Sequence, residues 1–119
     1  MTIQDISSML RYGYNPIIFL INNDGLTIEV EIHDGEYNNI QPWDYCAVVQ
    51  GFKGRSDAKL LTARATTEAE LVAAIEAAKA APDHLAFIEF VVDRDDCSRE
   101  LLEWGSRVAA ANGRAPDPR

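Results

Sequence analysis

An α/β fold, a parallel sheet flanked by helices, is what this chain predicts, on three observations. The apolar run Ile17-Ile18-Phe19-Leu20-Ile21 reads as a strand buried on both faces, as parallel sheets require. A second apolar run covers residues 85–92. Between and around these runs lie segments with helical spacing, and strands that alternate with helices imply parallel pairing through right-handed crossovers.

The elements follow in order. Residues 3–11 place Ile3, Ile6, Met9 and Leu10 at helical spacing, and Gly13 closes that helix. Pro16 opens the first strand, which runs to about Asn22. Residues 27–33 read either way: Ile28, Val30 and Ile32 alternate with Glu29 and Glu31 as in a strand, yet Ile28 and Ile32 are also one helical turn apart. Residues 35–42 form a turn-rich loop. A helix over 43–52 carries Tyr45, Val48, Val49 and Phe52, and residues 51–57 are a glycine-containing loop. Residues 59–65 make a second strand. Thr67 with Glu70 three positions on is a capping box, and the helix over 68–80 should bury Leu71, Val72, Ile75 and Ala78. Pro82 ends it. After the third strand, Asp95 or Asp96 caps a helix over 98–111 with Leu101, Leu102, Gly105 and Val108 inward, and residues 115–119 are irregular.

Composition narrows the function. The chain has 119 residues, 47% hydrophobic and 25% charged, as expected of one modest globular core. Eleven basic against nineteen acidic residues give a formal charge of -8. With no basic block, neither nucleic acid nor an anionic membrane is the expected partner. The longest apolar run is too short to span a bilayer, and no signal peptide opens the chain. Cys46 and Cys97 form no CxxC pair, so two reduced cysteines in a cytoplasmic protein are expected. Asp93, Asp95, Asp96 and Glu100 lack the loop glycine and spacing of a calcium-binding EF-hand and read as helix-capping acids. Trp43, Tyr45 and Trp104 read as core and interface anchors.

The segment Asn22-Asn23-Asp24-Gly25-Leu26-Thr27-Ile28-Glu29 carries the chemistry. In open α/β sheets ligands bind beyond the carboxyl ends of the strands, which is where Asn22, Asn23 and Gly25 fall. Taken alone, two asparagines before a glycine are an ordinary strand-to-turn exit, and Glu29 is a surface carboxylate. The wider set is more specific: Asn22-Asn23-x-Gly25-x-Thr27-Ile28-Glu29, then Ile32-His33-Asp34-Gly35, Tyr37-Asn38 and Trp43-Asp44-Tyr45. It resembles the thiamine-diphosphate-dependent 2-oxo acid decarboxylases. The C-terminal stretch Glu100-Leu101-Leu102-Glu103-Trp104-Gly105-Ser106-Arg107-Val108, with Ala110-Ala111-Asn112, is similar to the same family, and the likeness covers nearly the whole chain.

The resemblance implies a C-terminal thiamine-diphosphate- and Mg²⁺-binding domain over residues 1–119. On that resemblance the domain is expected to be incomplete, lacking the family's Gly-Asp-Gly motif and two preceding domains. It implies that Asn23 supplies a side-chain oxygen and Gly25 a backbone carbonyl to the magnesium. A hard cation facing diphosphate charge is suited by such neutral oxygens, and the glycine is expected to let the backbone turn tightly. It implies that Glu29 transfers protons near the reacting carbon, and a carboxyl beside apolar Ile28 and Ile32 is expected to be desolvated. It implies that Ile28 touches the cofactor and that Ile28 and Ile32 wall the substrate pocket, core packing being the equal alternative to the latter. His33 reads as structural.

The implied reaction is non-oxidative decarboxylation of pyruvate to acetaldehyde and carbon dioxide. The cofactor is the electron sink, and the protein supplies orientation, electrostatics and protons. Indolepyruvate or a branched-chain 2-oxo acid is the alternative substrate, and an inactive α/β module the alternative class. The implied partners are a small 2-oxo acid, the rest of the enzyme and a second subunit, in a homodimer or homotetramer. The 119 residues alone are expected to be inactive. Leu26 stands where the family generally has tyrosine and Glu36 where proline is common, which bears on substrate range and loop geometry.

Overall fold

The computed structural model describes residues 3–113; the expectation for residues 115–119 lies outside them. The chain forms two compact units, one of residues up to Asn22 with Trp43–Val92, the other of Asn23–Pro42 with residues from Asp93 on.

The first unit is a three-stranded parallel sheet. Helix α1 (Ile3–Tyr12) precedes β1 (Ile17–Asn22); α3 (Tyr45–Lys53), β2 (Leu60–Ala65), α4 (Glu68–Ala80) and β3 (Leu85–Val91) follow. The strand order is β1-β3-β2, with β1 registered Ile17 to Ala86 through Asn22 to Val91 and β2 registered Leu60 to Leu85 through Ala65 to Phe90. Side chains alternate across β3. Leu85 and Phe87 join Ile6, Leu10 and Val49 beneath α1 and α3, while Ala86 and Ile88 meet Ala74 and Ala78 of α4. The α/β fold with a parallel sheet is therefore as the sequence predicts.

The exposure of β1 differs from expectation. Ile18 and Leu20 pack into the α1–α3 core, but Phe19 is 49% and Ile21 69% exposed. The strand buried on both faces is β3, where Leu85 through Glu89 are all buried. The reason lies in what covers the sheet: α4 packs on β2 and β3, which leaves the outer row of the edge strand β1 uncovered.

Local signals place α4 well. Thr67 Oγ1 accepts from Glu70 N at 3.3 Å, and Glu70 Oε2 accepts from Thr67 N at 3.1 Å, completing the capping box. Ala74 and Ala78 take the inward stripe with Leu71 and Ile75 beside them, whereas Val72, expected inward, is 52% exposed. With Ala74 and Ala78 on the inward stripe, Val72 falls on the outer face of the helix. Helix α3 extends to Lys53, capped by Asp44, so the following loop is shorter than expected. Trp43 is 51% exposed and no core anchor, while Tyr45 packs on the α1–α3 core.

One buried carboxylate sits in this sheet. Glu89, 3% exposed, accepts from Asn22 Nδ2 at 2.8 Å and faces Arg64 Nε at 3.6 Å. Cys46 Sγ lies 3.9 Å from its other oxygen. Burial first, then the charge of Glu89, pushes the Cys46 thiol above its ordinary value, so it stays protonated and poorly nucleophilic. Both Cys46 and Cys97 are free.

At the opposite end of the strands, Asp83 is held at about 2, below its ordinary 3.8, by the hydrogen bond from Lys59 and then that from His84. A depressed carboxylate stabilises the fold above its unfolded value and loses that contribution as pH falls through the folded one. The melting temperature of wild type should therefore exceed that of Asp83→Asn above pH 3.8, with the difference vanishing near about 2. The gap is expected to be small, since both partners are exposed. A gap independent of pH would refute the assignment.

Candidate functional site

Asn22 ends β1 in the first unit, and the second unit carries Asn23, Gly25, Ile28, Glu29 and Ile32. Residues 27–33, legible as strand or helix, form helix α2 (Thr27–Ile32). Val30 N bonds Leu26 O at 3.1 Å and His33 N bonds Glu29 O at 2.8 Å. What decides between the two is α5 (Arg99–Asn112), which packs on α2. Gly105 is its contact point. A Cβ there would stand 3.0 Å from Glu31 Cβ and 3.4 Å from Ile28 Cδ1, so a larger residue would push α2 back by a few tenths of an ångström.

Helix α5 differs from expectation in two ways. Its cap is Ser98, whose side chain accepts from Leu101 N, not an aspartate. Leu101 and Leu102 are each 38% exposed and Trp104 52%, so none is a core anchor here. Gly105 alone is buried along this helix, because the narrow groove against α2 excludes larger residues.

The turn before α2 brings Asn23, Gly25 and Thr27 together. Asn23 Nδ2 donates to Thr27 Oγ1 at 2.7 Å, and the Thr27 hydroxyl donates to the Arg94 carbonyl. The glycine serves differently from the sequence expectation. The left-handed residue of this turn is Asp24, at φ 54°, which a short polar side chain tolerates. Gly25 is instead buried beneath Arg94, and a Cβ on it would lie 3.1 Å from Arg94 Nε. Its missing side chain makes room for the arginine.

Glu29 lies on α2 just past this turn and is exposed. The expected desolvation by Ile28 and Ile32 is absent from the described unit, because the helix turns those two toward packing, both being half-buried, and Glu29 away from it. Glu31 is exposed as well, with only its stem against Gly105.

A second network closes the loop after α2. The His33 ring bonds the Tyr37 hydroxyl, and the buried Asn38 donates to His33 O at 2.9 Å. These bonds hold a 3-10 turn, Glu36–Asn38, and give His33 a structural task. Among the described residues, no three His, Cys, Asp or Glu side chains converge as a metal site, and no helix is long and apolar enough to cross a membrane.

The residue that sequence reasoning missed is Arg94. Its carbonyl receives Thr27 across 67 positions, and an acceptor of that kind, present in every residue, leaves no mark in a sequence.

Comparison with known proteins identifies the family. The family described as thiamine pyrophosphate enzyme, C-terminal TPP binding domain, matches residues 1–90. Pyruvate decarboxylase 1 of Oryza sativa subsp. indica is 56% identical over 99% of the chain, which spans 20% of that protein. Pyruvate decarboxylase 4 of Arabidopsis thaliana is 55% identical over 98% of the chain, spanning 19% of its length. For pyruvate decarboxylase 2 of Pisum sativum the figures are 54%, 98% and 29%. The chain thus spans about a fifth of the length of most of these relatives.

Proposed function

This chain belongs to the thiamine pyrophosphate enzymes, through their C-terminal TPP binding domain, and from that premise we propose that it forms the cofactor-anchoring part of a decarboxylase that converts pyruvate to acetaldehyde and carbon dioxide. The relatives' names support pyruvate as the substrate. One observation carries the reading at the level of residues. A single turn joins Asn23 and Gly25, and Glu29 stands on the helix that this turn opens.

The donor set fits Mg²⁺ and a diphosphate. Mg²⁺ takes hard oxygen ligands in an octahedron shared among protein, phosphate and water. Asn23 offers an amide oxygen and Gly25 a backbone carbonyl, both neutral, so the phosphate charge is left to the ion. The bound cofactor would supply the electron sink for loss of carbon dioxide. Asn23 and Gly25 hold, Ile28 and Ile32 bound the apolar side of the substrate pocket, and Glu29 donates or removes the proton. Diphosphate and water take most of the remaining positions of the octahedron, and one carboxylate from another part of the enzyme completes the protein's share. A homodimer or homotetramer in the cytoplasm is the assembly we propose; the free cysteines suit a reducing compartment.

Removing a ligand should weaken retention before it touches chemistry. In the enzyme carrying this chain, Asn23→Ala is expected to raise the Mg²⁺ concentration for half-retention of thiamine diphosphate by about tenfold or more. Saturating metal and cofactor should restore much of the rate. Titration of released cofactor against Mg²⁺, the cofactor being oxidised to its fluorescent thiochrome form, measures this. An unchanged Mg²⁺ requirement would remove Asn23 from the metal site.

A further inference from the structure

A hydroxyl has one hydrogen to give. That of Thr27 is given to the Arg94 carbonyl, which leaves Thr27 Oγ1 able only to accept. The end of the Asn23 amide that faces it at 2.7 Å must then be the NH₂ group. The carbonyl oxygen of the same amide is turned the other way. Asn23 therefore does not choose its own orientation: the Arg94 carbonyl sets it, through one threonine. Gly25 strengthens the arrangement, because its lack of a side chain lets Arg94 lie against the turn.

We propose that Thr27 is a positioning residue for the metal site, holding Asn23 with its oxygen rather than its NH₂ group toward the Mg²⁺-diphosphate. The inference rests on the reading of Asn23 as a ligand. An amide is nearly symmetric in shape, so without a fixed acceptor it presents either end. The NH₂ end repels a cation. Groups that orient a metal ligand typically contribute 10- to 100-fold to metal affinity.

The test uses the complete enzyme and Thr27→Val, which keeps the shape of threonine and removes the hydroxyl. The Mg²⁺ requirement for thiamine diphosphate retention, read from released cofactor after its oxidation to fluorescent thiochrome, should rise about tenfold. Thr27→Ser, which keeps the hydroxyl, should restore the wild-type requirement. In an Asn23→Ala background Thr27→Val should add nothing, since the amide it orients is gone. Equal requirements for Thr27→Val and wild type, or full additivity with Asn23→Ala, would overturn the proposal while leaving Asn23 as a ligand. If Asn23→Ala itself leaves the requirement unchanged, the underlying reading fails, and this inference with it.

Discussion

Replacing Glu29 with glutamine in the complete enzyme is expected to lower kcat by about 10² to 10⁴-fold, with thiamine diphosphate still retained. Glutamine keeps the length and planarity of the side chain and can accept or donate a hydrogen bond. It cannot deliver a proton to carbon. The position is well held: Glu29 belongs to α2, its carbonyl is bonded by His33 N, and α2 is seated on α5 through Ile28 and Gly105. Its carboxyl extends into solvent within this unit, where substrate can reach it. Glu31, two residues on, is the internal control. It has the same charge on the same helix, and Glu31→Gln should keep kcat near wild type. Steady-state kinetics on both variants, with cofactor content measured alongside, decides the matter. Comparable losses in the two would strip Glu29 of its assigned role.

The second large effect concerns the sheet. Ile88 is 0% exposed at the centre of β3 and packs on Ala74, Ala78 and Ala86. Ile88→Ala should cost about 2–5 kcal/mol, the transfer energy of the lost carbons plus that of the cavity left behind. Ile21 on the edge strand is 69% exposed, and Ile21→Ala should cost under about 1 kcal/mol, since little apolar surface leaves water there. Urea unfolding of the three proteins measures both. Similar losses at the two positions would mean that β1 is covered as fully as β3.

Both positions come from apolar runs that look alike in the sequence. The runs at residues 17–21 and 85–92 each predicted a strand, and each forms one. Nothing in either run tells a central strand from an edge strand, because that depends on which strand the others pair with and where α4 lies. The same holds for residues 27–33. Ile28 and Ile32 satisfy both helical and strand spacing, and the choice fell to α5, whose Gly105 approaches Ile28 and Glu31. By contrast, α4 was legible from its own residues: the Thr67–Glu70 capping box and the terminating Pro82 act over a few positions.

The candidate site divides in the same way. The identities of Asn23, Gly25 and Glu29 and their spacing could be read from the chain, and with them the family. Their mutual arrangement could not. Asp24 rather than Gly25 takes the left-handed conformation, Gly25 makes room for Arg94, and Thr27 bonds a carbonyl 67 residues away. Sequence alone determined which chemical groups are present and which local elements they start or end, since those follow from neighbours within a turn or two. Tertiary structure decided which faces are dry, which residue each glycine admits and which way an amide points. Those depend on contacts between segments far apart in the chain, and side-chain periodicity carries no record of them.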